Sequence, residues 1–373
     1  MAEPLKNHFG PAIPKTISGM IAAVFRDFDS TSFVKDVLDG YEALELLPRG
    51  WKIARALRPY LPRHFPDAVN ILTASLGPKL ERTEDHGMTP FLYLPHACFV
   101  AEYGLDHFEE SMAAQYEITQ RFTAEFSIRP FIEKYPDATL ARLRIWATDP
   151  SPHVRRLVSE GTRPRLPWAP RLRAFEKDPR PVLALLELLK DDPELYVRRS
   201  VANHLNDLGK DNPDLLIQTA TRWLKGASDE RRWVVNHALR SAVKRAEAGA
   251  LGVLGFGSDA KVKIHNATVK PQRVAIGGAV EIAFELKNTG TTIQRVLVDF
   301  RIHFAKANGT TSAKVFKLKT VELAPKETVR LSKKVSLREM TTRKHYPGVH
   351  KVEAMLNGRV QPLGRFVLMK RRS

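Results

Sequence analysis

The hydrophobic period of this chain changes once, and that change limits what it can fold into. Up to about residue 250, apolar residues recur at three and four positions, as in "VLALLELLK" (Val182 to Lys190) and "LLIQTATRWLK" (Leu215 to Lys225). This is the spacing of amphipathic helices. After Asp259 the period is two. "VEIAFELKN", "RVLVDFRIHF", "KVFKLKTVEL", "TVRLSKKVSL" and "HKVEAMLNG" alternate, with turns such as "NTGTT", "KANGTT" and "APKET" between them. Short strands with regular turn signals over roughly 110 residues predict a β-sandwich of immunoglobulin type. The term describes architecture alone, because the cysteines and tryptophan of antibody domains are absent. Between the two periods lies "AEAGALGVLGFGS" (Ala246 to Ser258), whose glycines end the helices. Its GxG is no dinucleotide fingerprint, since no strand–turn–helix surrounds it. The expectation is a multidomain α plus all-β chain. It has a helical domain over 1–250, a glycine-rich linker over 251–258 and a β-sandwich over 259–373.

The helical part repeats. "HVRRLVSEG", "YVRRSVANHL" and "ERRWVVNHAL" align on Arg156, Arg199 and Arg232, and "QRFTAEF" adds a weaker copy at Arg121. The four arginines are 35, 43 and 33 residues apart. That is the period of a helical-hairpin solenoid of the HEAT type. Helix starts are expected at Ser151-Pro152, Asp192-Pro193 and Ser228-Asp229, where a side-chain oxygen caps free N–H groups and proline at the first position lacks only an orphan donor. Equivalent positions of stacked repeats lie side by side, and residues four apart share a helix face. Arg121, Arg156, Arg199 and Arg232 should therefore form one stripe. Glu125, Glu160, Asn203 and Asn236 should form a second, with Arg155, Arg198 and Arg231 beside the first.

The formal charge of +18 decides which ligand such a surface suits. Residues 259–373 carry 24 Lys and Arg against 8 Asp and Glu, so +16 of it sits in the β domain. A polyanion, nucleic acid above all, is the natural partner. Arginines at repeat spacing suit phosphates, and Asn203-His204 and Asn236-His237 can add hydrogen bonds to phosphate or sugar. One cysteine, Cys98, excludes an internal disulfide. No Cys/His cluster has zinc spacing, and nothing in the pattern asks for a metal or cofactor. A reducing, cytosolic setting fits, with no membrane partner and a monomeric chain. "ISGMIAAVF" (Ile17 to Phe25) has the length of a signal core but is followed by Arg26-Asp27 rather than a cleavage site.

Two glutamates interrupt the asparagine stripe, and a carboxylate facing a polyanion weakens binding. Sites that accept such a cost often do chemistry. Glu160 is followed within eight residues by Trp168, after the helix-ending "GTRPRLP". A carboxylate beside an indole face suits a cationic base or a sugar developing positive charge. Read from the residues alone, the pattern also fits a non-catalytic DNA-binding scaffold. It fits equally a HEAT adaptor whose β domain binds acidic partners or membrane. In the scaffold, the glutamates serve as helix-surface ion pairs worth about 0.3–0.5 kcal/mol each.

Nearly the whole chain resembles the HEAT-repeat alkylpurine DNA glycosylases of the AlkC/AlkD superfamily, in particular the AlkC type with a C-terminal immunoglobulin-like domain. The resemblance is carried by "PLKNHFGPAIPKTISGMI", "FTAEFSIRPFI", "RLRIWATDPSPHVRRLVSEGTRPRLPW" and "YVRRSVANHLND". It implies excision of cationic N3-alkylated bases such as 3-methyladenine, with 3-methylcytosine a second candidate, from DNA that is distorted rather than conventionally flipped. It implies Glu125 and Glu160 as catalytic carboxylates and Trp168 as an aromatic wall. The Trp-Asp-Trp arrangement of the AlkD type has no counterpart here.

Overall fold

The computed structural model describes residues 4–84, 87–257, 259–340 and 344–370. Helices occupy the chain as far as residue 253. They are α1 (Ala12–Ala22), α2 (Ser30–Leu38), α3 (Leu46–Leu57), α4 (Phe65–Ala74), α5 (Leu94–Tyr103), α6 (Phe108–Thr119) and α7 (Arg129–Lys134), followed by α8 (Pro136–Trp146), α9 (Pro152–Gly161), α10 (Arg173–Lys177), α11 (Arg180–Leu189) and α12 (Leu195–Asp211). Then come α13 (Pro213–Leu224), α14 (Asp229–Lys244) and α15 (Ala248–Val253). The helical hairpins expected from the repeat are present: α8 leads into α9, and α11 into α12. α9 packs on α12 and α8 on α11, so the hairpins stack in register. Val154, Leu157 and Val158 from α9 and Val197, Val201 and Leu205 from α12 fill the space between them. No helix among the described residues is long and apolar enough to cross a membrane.

The helix starts expected at Ser151-Pro152 and Ser228-Asp229 are present, whereas the one expected at Asp192-Pro193 needs correction. Ser228 caps α14, accepting from the Arg231 N–H at 3.2 Å. Ser151 precedes α9 but makes no side-chain cap, and α12 begins at Leu195 rather than after Asp192. Asp149 and Asp192 instead accept from backbone N–H groups two residues on, Ser151 at 2.8 Å and Glu194 at 2.9 Å. Such Asx turns compete with capping and shape the loop before the helix.

The β domain pairs β1 (Val262–Lys270), β3 (Ala279–Asn288) and β6 (Thr328–Ser336) in one sheet, in the order β1-β3-β6. The second sheet runs β2-β8-β7-β4-β5, from β2 (Arg273–Ala275), β8 (Arg359–Met369), β7 (Gly348–Leu356), β4 (Gln294–Ala305) and β5 (Thr311–Leu323). Alternation buries Val280, Ile282, Phe284 and Leu286 of β3 against Val296, Val298, Phe300 and Ile302 of β4, with Phe366 and Leu368 of β8. This is the two-sheet core expected of an immunoglobulin-like sandwich.

Residue contacts divide the chain into two compact units ahead of the glycine-rich stretch. The described residues up to Leu216 form one, with Trp223–Ala238; Ile217–Arg222 and the described residues from Leu239 form the other. The expected linker is helical over Ala248–Val253 and fastened to the sandwich. Arg295 donates to the Leu254 carbonyl and covers the Phe256 ring, and Asn357 donates to the Gly257 carbonyl. Ser258 lies outside the described residues.

Candidate active site

A cleft of about 360 Å³ opens beside α9, and it collects the three residues expected to do chemistry: Glu125, Glu160 and Trp168. Its apolar lining includes Phe91, Phe122, Phe126, Leu166 and Tyr196. Glu125 arrives by an unexpected route. "QRFTAEF" is not a helical repeat; the chain leaves α6 at Thr119 and crosses to α7 as turns. Thr123 organises that crossing. Its hydroxyl accepts from the Glu125 N–H at 3.2 Å and donates to Glu125 Oε2 at 2.9 Å. Gly161, next to Glu160, admits the crossing segment against α9, since a Cβ there would lie 2.7 Å from Ile128 Cγ2.

Arg156 stands between the two carboxylates. Its guanidinium is 2.8 Å from Glu125 Oε2 and 3.7 Å from Glu160 Oε1, and it lies over the Tyr196 ring at 5.0 Å. Arg163 donates to Glu160 Oε1 at 2.6 Å and is itself held by Asp207 at 2.7 Å, to which Lys210 is also paired. Ser200 donates to the other oxygen, Oε2, at 2.5 Å. Glu160 is only 6% exposed. Burial is the largest influence on it and opposes its charge. The attraction of Arg156 and Arg163 and the hydrogen bonds from Ser200 and Arg163 outweigh that effect, so its carboxyl titrates below the ordinary value of 4.5. The result is a desolvated carboxylate held ionised beside an aromatic cleft. Among the described residues no group of three His, Cys, Asp or Glu is placed to hold a metal ion.

Trp168 stands at the cleft in the open, 60% exposed, on a backbone with φ of 66°. Arg129 fixes the segment that carries it. Its buried guanidinium donates to the carbonyls of Gly161, Arg163 and Pro170, satisfying groups that the end of α9 and the following loop would otherwise leave bare.

Along its length the chain is similar to known proteins. An uncharacterised protein YhaZ of Bacillus subtilis (strain 168) is 34% identical over 358 residues, 96% of this chain and 97% of that one. The Pseudomonas fluorescens alkylpurine DNA glycosylase AlkC, solved bound to DNA containing an abasic site analogue, is 36% identical. That structure superposes with a TM-score of 0.91 over 98% of this chain and 100% of its own. Residues 263–370 match the family described as the C-terminal Ig-like domain of uncharacterised protein YhaZ. The chain belongs to the AlkC alkylpurine DNA glycosylase family.

Within this AlkC family member the expected arginine surface sorts into two sets. Arg155, Arg198 and Arg231 are each engaged within the protein. Arg155 donates to the Asp149 and Pro150 carbonyls and pairs with buried Asp192 at 2.6 Å. Arg198 donates to the Asp192 and Pro193 carbonyls, and Arg231 pairs with Asp191. They tie each helix to the loop before it or to the neighbouring hairpin. Arg121 is likewise committed, to the Gly77 carbonyl and Glu117, and Arg156 to the glutamates. Arg199 and Arg232 are the exposed members, at 47% and 56% of the side chain, with only loose pairs to Glu84 and Asp229.

The asparagine stripe is also uneven. Asn236 is exposed, and Asn203 Oδ1 lies 3.2 Å from His237 Nε2. His237 stacks on Trp233 at 4.9 Å. His204 is fully buried against the Ser159 carbonyl, and burial pushes its pKa down to about 4, so it is a neutral core residue and not a DNA contact.

Arg155→Ala tests this sorting. It leaves the Asp192 carboxylate buried without its main partner, and the loss should be about 3–5 kcal/mol, read as a lower urea midpoint. Unchanged stability with weakened DNA binding would return Arg155 to the phosphate surface.

Proposed function

We propose that the chain is a DNA glycosylase that hydrolyses the N-glycosidic bond of cationic N3-alkylated bases, 3-methyladenine first among them and 3-methylcytosine second, in duplex DNA. The AlkC relative bound to DNA supports the class. The observation that carries the reading is the buried Glu160 carboxylate, held ionised in the same cleft as Glu125 and Trp168.

An N3-alkylated base already bears positive charge, so it leaves without a general acid. As the C1′–N bond breaks, its electron pair passes to the base and neutralises it, and positive charge moves onto the sugar. Glu160 faces that charge from a preorganised, water-poor position, where electrostatic stabilisation is strongest. Glu125 is the better candidate for the water. The hydrogen bond from Thr123 and the nearest approach of Arg156 both fall on Oε2. We assign to Oε1 the proton released when water adds to C1′. Trp168, exposed at the cleft, offers its face to the cationic nucleoside in place of an enclosing base pocket. Release of free 3-methyladenine from methylated DNA under single-turnover conditions tests the assignment. Tight binding without release would leave a scaffold.

Arg199, Arg232 and Asn236 are proposed to contact phosphates, together with the basic β domain. There Lys306, Lys314, Lys317, Lys319 and Lys344 are the candidates; Arg343 lies outside the described residues. Lys314, Lys317 and Lys319 lie on β5, an edge strand, where lysines also deter pairing with other chains. Arg199→Ala and Arg232→Ala should each weaken methylated and unmethylated duplexes alike and lower the salt slope by about 0.9 per lost contact. Lys317→Ala separates the two roles of β5. A phosphate contact lowers the slope, whereas an edge guard alone leaves it unchanged.

A further inference from the structure

We propose that Ser200 is a positioning residue for the reaction, fixing the free oxygen of Glu160 from the neighbouring hairpin. The proposal rests on the glycosylase reading of the cleft. Both arginines that serve Glu160 come to one atom, Oε1. On the other atom, Oε2, Ser200 Oγ at 2.5 Å is the donor among the described residues. The terminal torsion of a glutamate is soft, so donors on one oxygen alone leave the carboxylate plane poorly fixed. A donor on each oxygen sets its rotation.

The hydroxyl proton has a defined place. Ser200 Oγ is 3.0 Å from Ser159 Oγ and 2.5 Å from the carboxylate. A hydroxyl has one proton, and the charged acceptor is both nearer and stronger. Ser200 therefore donates to Glu160, and Ser159 donates to Ser200. His204 from the same helix holds the Ser159 carbonyl at 3.0 Å, fixing the start of this chain of donors.

The repeat register makes Ser200 conspicuous. One residue after the aligned arginines stand Leu157, Ser200 and Trp233. Leu157 is fully buried, and Ser200 is 3% exposed. A hairpin that places serine where its neighbour buries leucine forgoes apolar burial, and what it gains at this position is the hydrogen bond to Glu160 and its link to Ser159.

The test compares Ser200→Ala with the matched pair Ser200→Thr and Ser200→Val, which share a shape and differ by the hydroxyl. The Glu160 carboxyl is followed by carbon NMR against pH, with Glu160→Gln identifying its signal, alongside single-turnover release of 3-methyladenine. Hydrogen bonds to charged groups of this kind predict that Ser200→Ala and Ser200→Val raise the titration midpoint by about one pH unit and slow release about tenfold. Ser200→Thr should restore both, with undamaged-duplex binding unchanged throughout. A midpoint that stays put in folded Ser200→Ala, or Thr and Val variants that behave alike, overturns the proposal. If the wild-type chain releases no base, the glycosylase reading fails, and the NMR titration still decides the role of Ser200.

Discussion

Glu160→Gln should slow excision of 3-methyladenine by about 10²–10³-fold, as for loss of one preorganised electrostatic contributor. The substitution keeps the size of the side chain and a carbonyl to accept from Ser200. It removes the charge that faces the developing cation. Arg163 keeps Asp207 as a partner, so the hairpin should stay folded. Binding to undamaged duplex should hold or tighten slightly, because a carboxylate no longer repels phosphate. Glu125→Gln should behave alike, and the double substitution should lose less than the product of the two if they act on one step. Wild-type release by both single variants would return the glutamates to the role of ion-pair partners. Parallel losses of binding and release would point to a folding defect.

Arg156→Met should have the next largest effect, in two measurements at once. Methionine keeps an apolar stem beside Tyr196 but leaves two carboxylates facing each other without the cation between them. Breaking a buried pair in this way costs about 3–5 kcal/mol, so the urea midpoint should fall. The pH dependence should change as well. In the wild-type chain the Glu160 pKa lies below its ordinary value. Its ionised form therefore stabilises the fold at every pH above that ordinary value, and this stabilisation is lost only as pH falls through the depressed folded pKa. The contribution of Glu160 to excision should accordingly stay level from neutral pH down to about 5. Without Arg156 the like charges favour sharing a proton, and the acid limb should move up toward neutrality. A variant that loses stability but keeps the wild-type acid limb would show that Arg156 braces the fold without tuning the carboxylates.

The change of period at the glycine-rich stretch was enough to read a helical repeat followed by a β-sandwich, because periods of 3.6 and 2 leave different marks. The repeat register puts Glu160 on a helix for the same reason, and it lies in α9. The register found Glu125 by a false route, since Arg121 and Glu125 do not share a helix. Periodicity could not tell Arg155 from Arg156, because adjacent helical residues differ by about 100° and the face is fixed only by what packs there. A second signal was present. Asp149-Pro150 and Asp192-Pro193 each stand six residues before Arg155 and Arg198, and those arginines return to the same carbonyls. The tie from Arg163 to Asp207 and the place of Tyr196 under Arg156 arise between hairpins, at separations that depend on how the repeats stack, and Thr123 acts on Glu125 two residues on, in a turn that a helical period does not mark.

Trp168 has a consequence for anyone improving this protein by selection. A bulky residue at a left-handed φ costs of the order of 1–3 kcal/mol, and Arg129 holds the segment in place against that strain. Glycine or asparagine at position 168 relaxes the backbone and removes an exposed indole. A campaign that scores heat resistance, solubility or yield will therefore favour losing it, and its best-expressed clones will lack the most exposed aromatic side chain that lines the cleft among the described residues. If Trp168 serves the proposed reaction, libraries that hold residue 168 fixed, or that screen for survival under alkylation rather than for soluble protein, avoid trading that reaction for the scaffold.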